Sequence, residues 1–134
     1  MITGSCHCGA VKYEVPGQLL KFLHCHCDDC RKLSGSAFAS YVAAKSDGFR
    51  VLSGEEFVEA YASSPGKRRC FCRKCGTHLF AWADNRPGMV ILKAGTLDAD
   101  PGLRPDSHVW TSAKAPWHEI LDDLPQFPQG FPPS

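Results

Sequence analysis

Eight cysteines, Cys6, Cys8, Cys25, Cys27, Cys30, Cys70, Cys72 and Cys75, are bunched two and three residues apart in a chain of 134 residues. That spacing constrains the fold more than any other feature. In a disulfide-stapled secreted scaffold, eight cysteines would permit about 105 pairings. Such scaffolds are mostly too small for a core of their own, whereas this chain is long enough to close one. Close sequence neighbours are also poor disulfide partners but good co-ligands of one metal ion. The segment Met1 to Cys6 shows no basic stretch followed by an apolar one. The expectation is a cytoplasmic protein without a secretory leader, in a compartment where disulfides are rare.

The cysteines divide by geometry. In Cys6-His7-Cys8-Gly9 an extended backbone turns both sulfurs to one side. In Cys72-Arg73-Lys74-Cys75-Gly76 the step matches a tight turn, with glycine where a positive φ is needed. Each pair is half of a closed tetrahedral site, and together they make a four-cysteine structural centre tying distant parts of the chain. Zinc is favoured, while the spacing leaves an iron–sulfur cluster open. The middle group, Cys25-His26-Cys27-Asp28-Asp29-Cys30, offers three thiols and leaves a fourth position open, the arrangement of catalytic zinc sites. Three thiolates on Zn²⁺ leave a charge of about −1, which blunts Lewis acidity and suits exchange of a thiolate ligand. The fourth ligand expected there is a small thiol. Cys70 reads as a spare thiol, with closure of the second site as the alternative.

The rest of the chain frames these groups. Hydrophobic residues make up 43% and charged residues 22%, ordinary globular usage that argues against disorder. The longest apolar runs fall far short of the roughly 18 residues a membrane span needs. A net charge of +1 weighs against bulk attraction to nucleic acid or anionic membrane. Ten prolines and twelve glycines punctuate short segments. Strands are expected over residues 11–15, 38–43, 49–52, 57–62, 79–83, 89–94 and 108–111, with a turn at residues 84–88 between two of them. Single helical turns are expected over residues 28–33 and 117–121. The fold class is mainly β with little helix.

Three motifs carry a family resemblance: Cys6-His7-Cys8-Gly9, the run from Cys25 through Cys27, Asp28, Asp29, Cys30, Arg31 and Lys32 to Gly35, and Phe71-Cys72-Arg73-Lys74-Cys75-Gly76-Thr77-His78-Leu79-Phe80. With Ala94 to Asp98, His108 to Trp117 and Asp123 to Phe127, they resemble the glutathione-dependent formaldehyde-activating (GFA) family, which includes centromere-protein-V-like proteins. The resemblance covers residues 2–127. It implies several small, coiled antiparallel β-sheets around a structural zinc, a GFA-type, Mss-four-like fold. It also implies a single domain over residues 1–134, with a proline-rich tail over residues 125–134. Structural zinc carries over to Cys6, Cys8, Cys72 and Cys75, and a second, more labile zinc to Cys25, Cys27 and Cys30. The activity implied is a carbon–sulfur lyase run in reverse, joining glutathione to formaldehyde as S-(hydroxymethyl)glutathione.

His26, inside the triad loop, is the best proton-shuttle candidate; His7, His24 and His78 read as surface histidines or as hydrogen-bond partners of a sulfur or carbonyl. Arg31 and Lys32, directly after the triad, are candidates for binding the anionic groups of the thiol. Asp28 and Asp29 read as helix caps or as carriers of a proton or substrate amine. Lys67-Arg68-Arg69 with Arg73 and Lys74 reads as a solvated strand edge balanced by Glu55, Glu56 and Glu59. Phe38, Trp82, Trp110 and Trp117 read as core. The leading functional expectation is a zinc-dependent enzyme acting on a small thiol such as glutathione and a small aldehyde. The alternatives are a zinc-scaffolded binding module for a protein or nucleic acid and, weakest, thiol–disulfide chemistry at Cys27 and Cys30. A homo-oligomer is left open.

Overall fold

The computed structural model describes residues 1–130. Residues 131–134, part of the expected tail, lie outside the described residues. Among the described residues, ten strands form two sheets. The smaller holds β1 (Ile2–Ser5), β2 (Lys12–Val15) and β5 (Arg50–Ser53) in the order β1-β2-β5. The larger holds β3 (Leu19–Cys25), β4 (Ala39–Lys45), β6 (Val58–Ser64), β7 (Lys67–Cys72), β8 (His78–Ala83), β9 (Met89–Lys93) and β10 (His108–Val109). Its order is β10-β3-β4-β9-β8-β7-β6, and all pairs are antiparallel except β10 with β3. The only α-helix among the described residues is α1 (Asp28–Ser34). The chain is mainly β with little helix, as its short, proline- and glycine-punctuated segments require.

Alternation along the strands sorts the large sheet into two faces. Ala44, Cys70, Phe80, Val90 and Leu92 point to one side, where they pack with Tyr13 and Val15 of the small sheet. The Tyr13 and Phe80 rings meet edge-on at 5.7 Å. Apolar burial between the two sheets is the main stabilising term. The intervening residues point the other way: Tyr41 and Ala43 on β4, Met89, Ile91 and Lys93 on β9, Ala81 and Ala83 on β8, Lys67 and Arg69 on β7. The register aligns Lys21, Ala43, Ile91, Ala81 and Arg69 in one row across five strands. The alanines in that row leave space above the sheet.

Several expectations are corrected. β1 and β3 are not among the expected strands, since Leu19 to Cys25 lacks clean alternation; the basic run expected as a solvated strand edge begins β7, an inner strand between β8 and β6. No helix forms at residues 117–121, where the chain makes only a turn at 116–117. Thr111 belongs to a short 3-10 turn rather than to a strand. Trp82 joins the core against Phe49 and Phe80, but Trp117 is exposed and Trp110 does not enter the core. The described part of the tail is docked. Phe127 N–H donates to His108 O at 2.9 Å and His108 N–H to Pro125 O at 2.9 Å, extending the sheet beside β10.

Candidate active site

The first sulfur cluster joins two turns. Cys6 follows β1, and its sulfur accepts from the Val11 N–H at 3.2 Å while Gly9 N–H donates to Cys6 O at 3.0 Å. Cys72 ends β7, and Gly76 N–H donates back to its carbonyl at 2.7 Å. Gly9 (φ 79°) and Gly76 (φ 81°) occupy the left-handed region that lets each turn close beneath its sulfurs. All four sulfurs lie within 4.8 Å of one another. Two of the contacts, Cys6 to Cys8 at 3.6 Å and Cys8 to Cys72 at 3.9 Å, bracket the edge of about 3.8 Å for a tetrahedron with Zn–S of about 2.3 Å. The Thr77 hydroxyl and amide, together with the Cys8 amide, pull the Cys75 thiol down to about 5, favouring the thiolate. Donor set and spacing fit a closed metal site.

The second cluster holds Cys25, Cys27 and Cys30, their sulfurs also within 4.8 Å. Cys25 ends β3; Cys27 caps α1, its sulfur accepting from the Cys30 N–H at 3.3 Å. The capping residue is therefore Cys27 and not Asp28 or Asp29, which occupy the first turn, where their charge suits the helix dipole. Gly35 (φ 63°) ends the helix. The Cys25 and Cys27 sulfurs, then Lys93 and Arg69, draw the Cys30 thiol down to about 2, against its burial. Cys25 is driven up by the Cys27 and Cys30 sulfurs and by burial. Three sulfurs, partly ionised and facing open space, can hold a metal and leave a ligand position free.

The three cysteines open into a cleft of about 690 Å³ on the free face of the large sheet. Its volume falls within the range of small-molecule sites. Lys21, Lys67, Arg69, Arg86 and Lys93 line it against a single carboxylate, Asp84, which itself pairs with Arg68. Arg69 is 4% exposed; its Nη1 lies 4.0 Å from Cys30 Sγ and its Nε donates to Ser63 Oγ at 2.9 Å. Burial, then the nearby Cys25 and Cys30 sulfurs, raise the Tyr41 hydroxyl and keep it protonated. Trp110, the one non-glycine residue at positive φ (56°) among the described residues, forms part of the wall.

The basic run is thus not one solvated edge. Lys67 and Arg69 enter the cleft, Arg68 pairs with Asp84 at 3.1 Å, and Arg73 and Lys74 lie over the Phe57 ring. Its alternation on β7 was the available signal for Arg69. Arg31 and Lys32 do not reach the cleft: they sit in the last turn of α1, with Arg31 bound to Asp28 at 2.6 Å and Lys32 exposed. His26 does not face the cleft either. It alternates with Cys25 and Cys27, so its fully buried ring points to the opposite side, where Nε2 meets His108 Nδ1 at 2.8 Å. His108 Nε2 in turn meets Asp122 at 2.9 Å. Burial, then the neighbouring His108, lowers His26 to about 4, so it is neutral near pH 7. Cys70 lies in the core between the sheets, outside both clusters.

A two-sheet β protein with one closed and one open sulfur cluster is the class these features define. The sequence pattern of the family described as glutathione-dependent formaldehyde-activating enzyme matches residues 1–113. A Halomonas elongata protein named "Putative glutathione-dependent formaldehyde-activating enzyme" is 32% identical over 129 residues, spanning 90% of this chain and 81% of its own. A Schizosaccharomyces pombe protein named an uncharacterized lyase is 26% identical over 124 residues, covering 92% of this chain and 88% of its own. The crystal structure of a Rhodobacter sphaeroides protein superposes with a TM-score of 0.62 at 28% identity, covering 77% of this chain and 97% of that one. The chain belongs to the glutathione-dependent formaldehyde-activating family.

Proposed function

We propose that the cleft binds a small thiol of the glutathione type and joins it to formaldehyde or another small carbonyl compound, a carbon–sulfur lyase reaction run toward synthesis. The observation that carries this reading is the three-cysteine cluster opening into a cleft rich in cations. Zinc on Cys25, Cys27 and Cys30 would supply a position that takes the thiol as its thiolate. The second zinc, on Cys6, Cys8, Cys72 and Cys75, would be structural. Lys21, Lys67 and Arg86 offer charge for the carboxylates of the thiol compound. Ala43, Ala81 and Ile91 give the cleft an apolar floor that would limit the water it holds.

The bond change is simple. The sulfur lone pair forms a C–S bond to the carbonyl carbon, the C=O π pair moves to oxygen, and one proton completes the hydroxymethyl group. The proton released when the thiol ionises balances the one taken up. Tyr41, protonated in the cleft beside the cysteines, is the side chain suited to donate toward that oxygen, in place of His26, whose ring is buried against His108. The test is to follow S-(hydroxymethyl)glutathione formation by NMR exchange spectroscopy, with and without the protein. Acceleration over the uncatalysed reaction, abolished in Cys27→Ser, is expected. An uncatalysed rate in the presence of the zinc-loaded protein rules the reading out for this substrate pair.

A further inference from the structure

The charge of the open cluster depends on whether a thiol is bound. Three thiolates on divalent zinc carry about −1, and a substrate thiolate would bring the centre to about −2. Buried charge of that size is unfavourable unless it is compensated nearby. Two cations reach the cluster from the sheet, Arg69 on β7 and Lys93 on β9. Arg69 has little carboxylate to offset it. Asp29 approaches only to 3.9 Å and is mostly exposed, whereas Cys30 Sγ lies beside the buried guanidinium at 4.0 Å. The Ser63 hydroxyl fixes the orientation of the fork. Lys93 lies beside Tyr41 on the cleft face; burial, with Arg69 and Lys67, works against its charge, and Cys30 and Cys25 are the opposite charges that favour it. With the substrate thiolate absent, the centre and the two cations sum to about +1; with it bound, they sum to zero.

We infer that Arg69, assisted by Lys93, is a positioning residue that makes the three-cysteine centre selective for an anionic fourth ligand. This rests on the thiol-binding reading above. A neutral ligand gains nothing from the two cations, while a thiolate is accepted with the charge of the centre balanced by Arg69 and Lys93. Arg69 therefore governs which ligand the centre prefers, in addition to any part it has in holding the strand.

The experiment uses the full chain with cobalt(II) at both sites, the closed cluster giving a constant background spectrum. Glutathione and neutral imidazole are titrated separately, and the sulfur-to-cobalt charge-transfer and ligand-field bands report the fourth ligand. Arg69→Met is expected to weaken glutathione binding by about tenfold or more while imidazole binding stays within about twofold. Arg69→Lys should recover most of the loss. Lys93→Met should give the same asymmetry at about threefold, and keeps the test alive if Arg69→Met does not fold. Equal weakening of both ligands, or of neither, overturns the inference. A wild-type protein that takes no thiol at all overturns the thiol-binding reading itself, an outcome distinct from a variant that binds as well as wild type.

Discussion

The two sulfur clusters draw on the same ligand chemistry and differ in their surroundings. Cys6, Cys8, Cys72 and Cys75 come from two glycine-closed turns at the ends of β1 and β7, and they complete one another's coordination. Cys25, Cys27 and Cys30 come from one strand end and one helix start, and they face a basic cleft of about 690 Å³. A fourth sulfur makes a brace; an open side with buried cations makes a site. On the proposed reading, scaffold and reaction centre differ both in the number of thiols, four against three, and in what surrounds them.

The comparison breaks most readily at the closed cluster. Cys72→Ser should remove a metal-coupled folding contribution on the order of 10 kcal/mol, and circular dichroism should find no cooperative melt. A folded variant with an unshifted Tm would mean this cluster is not structural. Cys27→Ser should act the other way, keeping the fold within about 1 kcal/mol while thiol-adduct formation falls by about 100-fold or more. Unfolding of that variant would erase the division of labour between the clusters. Cys70→Ser places a hydroxyl in the inter-sheet core and should cost about 1–3 kcal/mol in denaturant melts, with the zinc count unchanged. Loss of one zinc would make Cys70 a ligand. The smallest effect is expected from Lys32→Ala, which removes an exposed charge and should leave glutathione affinity within about twofold; a larger drop would return the helix end to the binding surface.

Much of both clusters was legible because ligand spacing is local. The three-residue step from Cys72 to Cys75 with glycine behind it specifies a turn regardless of the rest of the fold, whereas Cys6 to Cys8, expected as extended backbone, also forms a turn, closed by the Gly9 N–H on Cys6 O. The mainly β class was legible for a similar reason, in the alternation and punctuation of short segments. What could not be read was anything set by facing. His26 sits between two ligands in sequence, yet period-two alternation sends its ring to the far side, against His108. Arg31 and Lys32 follow the triad in sequence, but the helix carries them away from the cleft. Arg69 is distant in sequence and comes within reach of Cys30 only through the β7-β8-β9-β4-β3 register, which no local pattern specifies. Trp110 was read as core from its residue type, whereas its place in the cleft wall depends on the chain around β10.

The most direct measurement is native mass spectrometry of the zinc-loaded protein titrated with a chelator, in the presence and absence of glutathione. Two zinc ions with well-separated losses are expected: the first leaves early with the fold intact, and the second leaves only with unfolding. A one-to-one glutathione adduct is expected on the two-zinc form and disappears with the first zinc. Two ions lost together, or no adduct at any glutathione concentration, would contradict the assignment of one closed and one open centre.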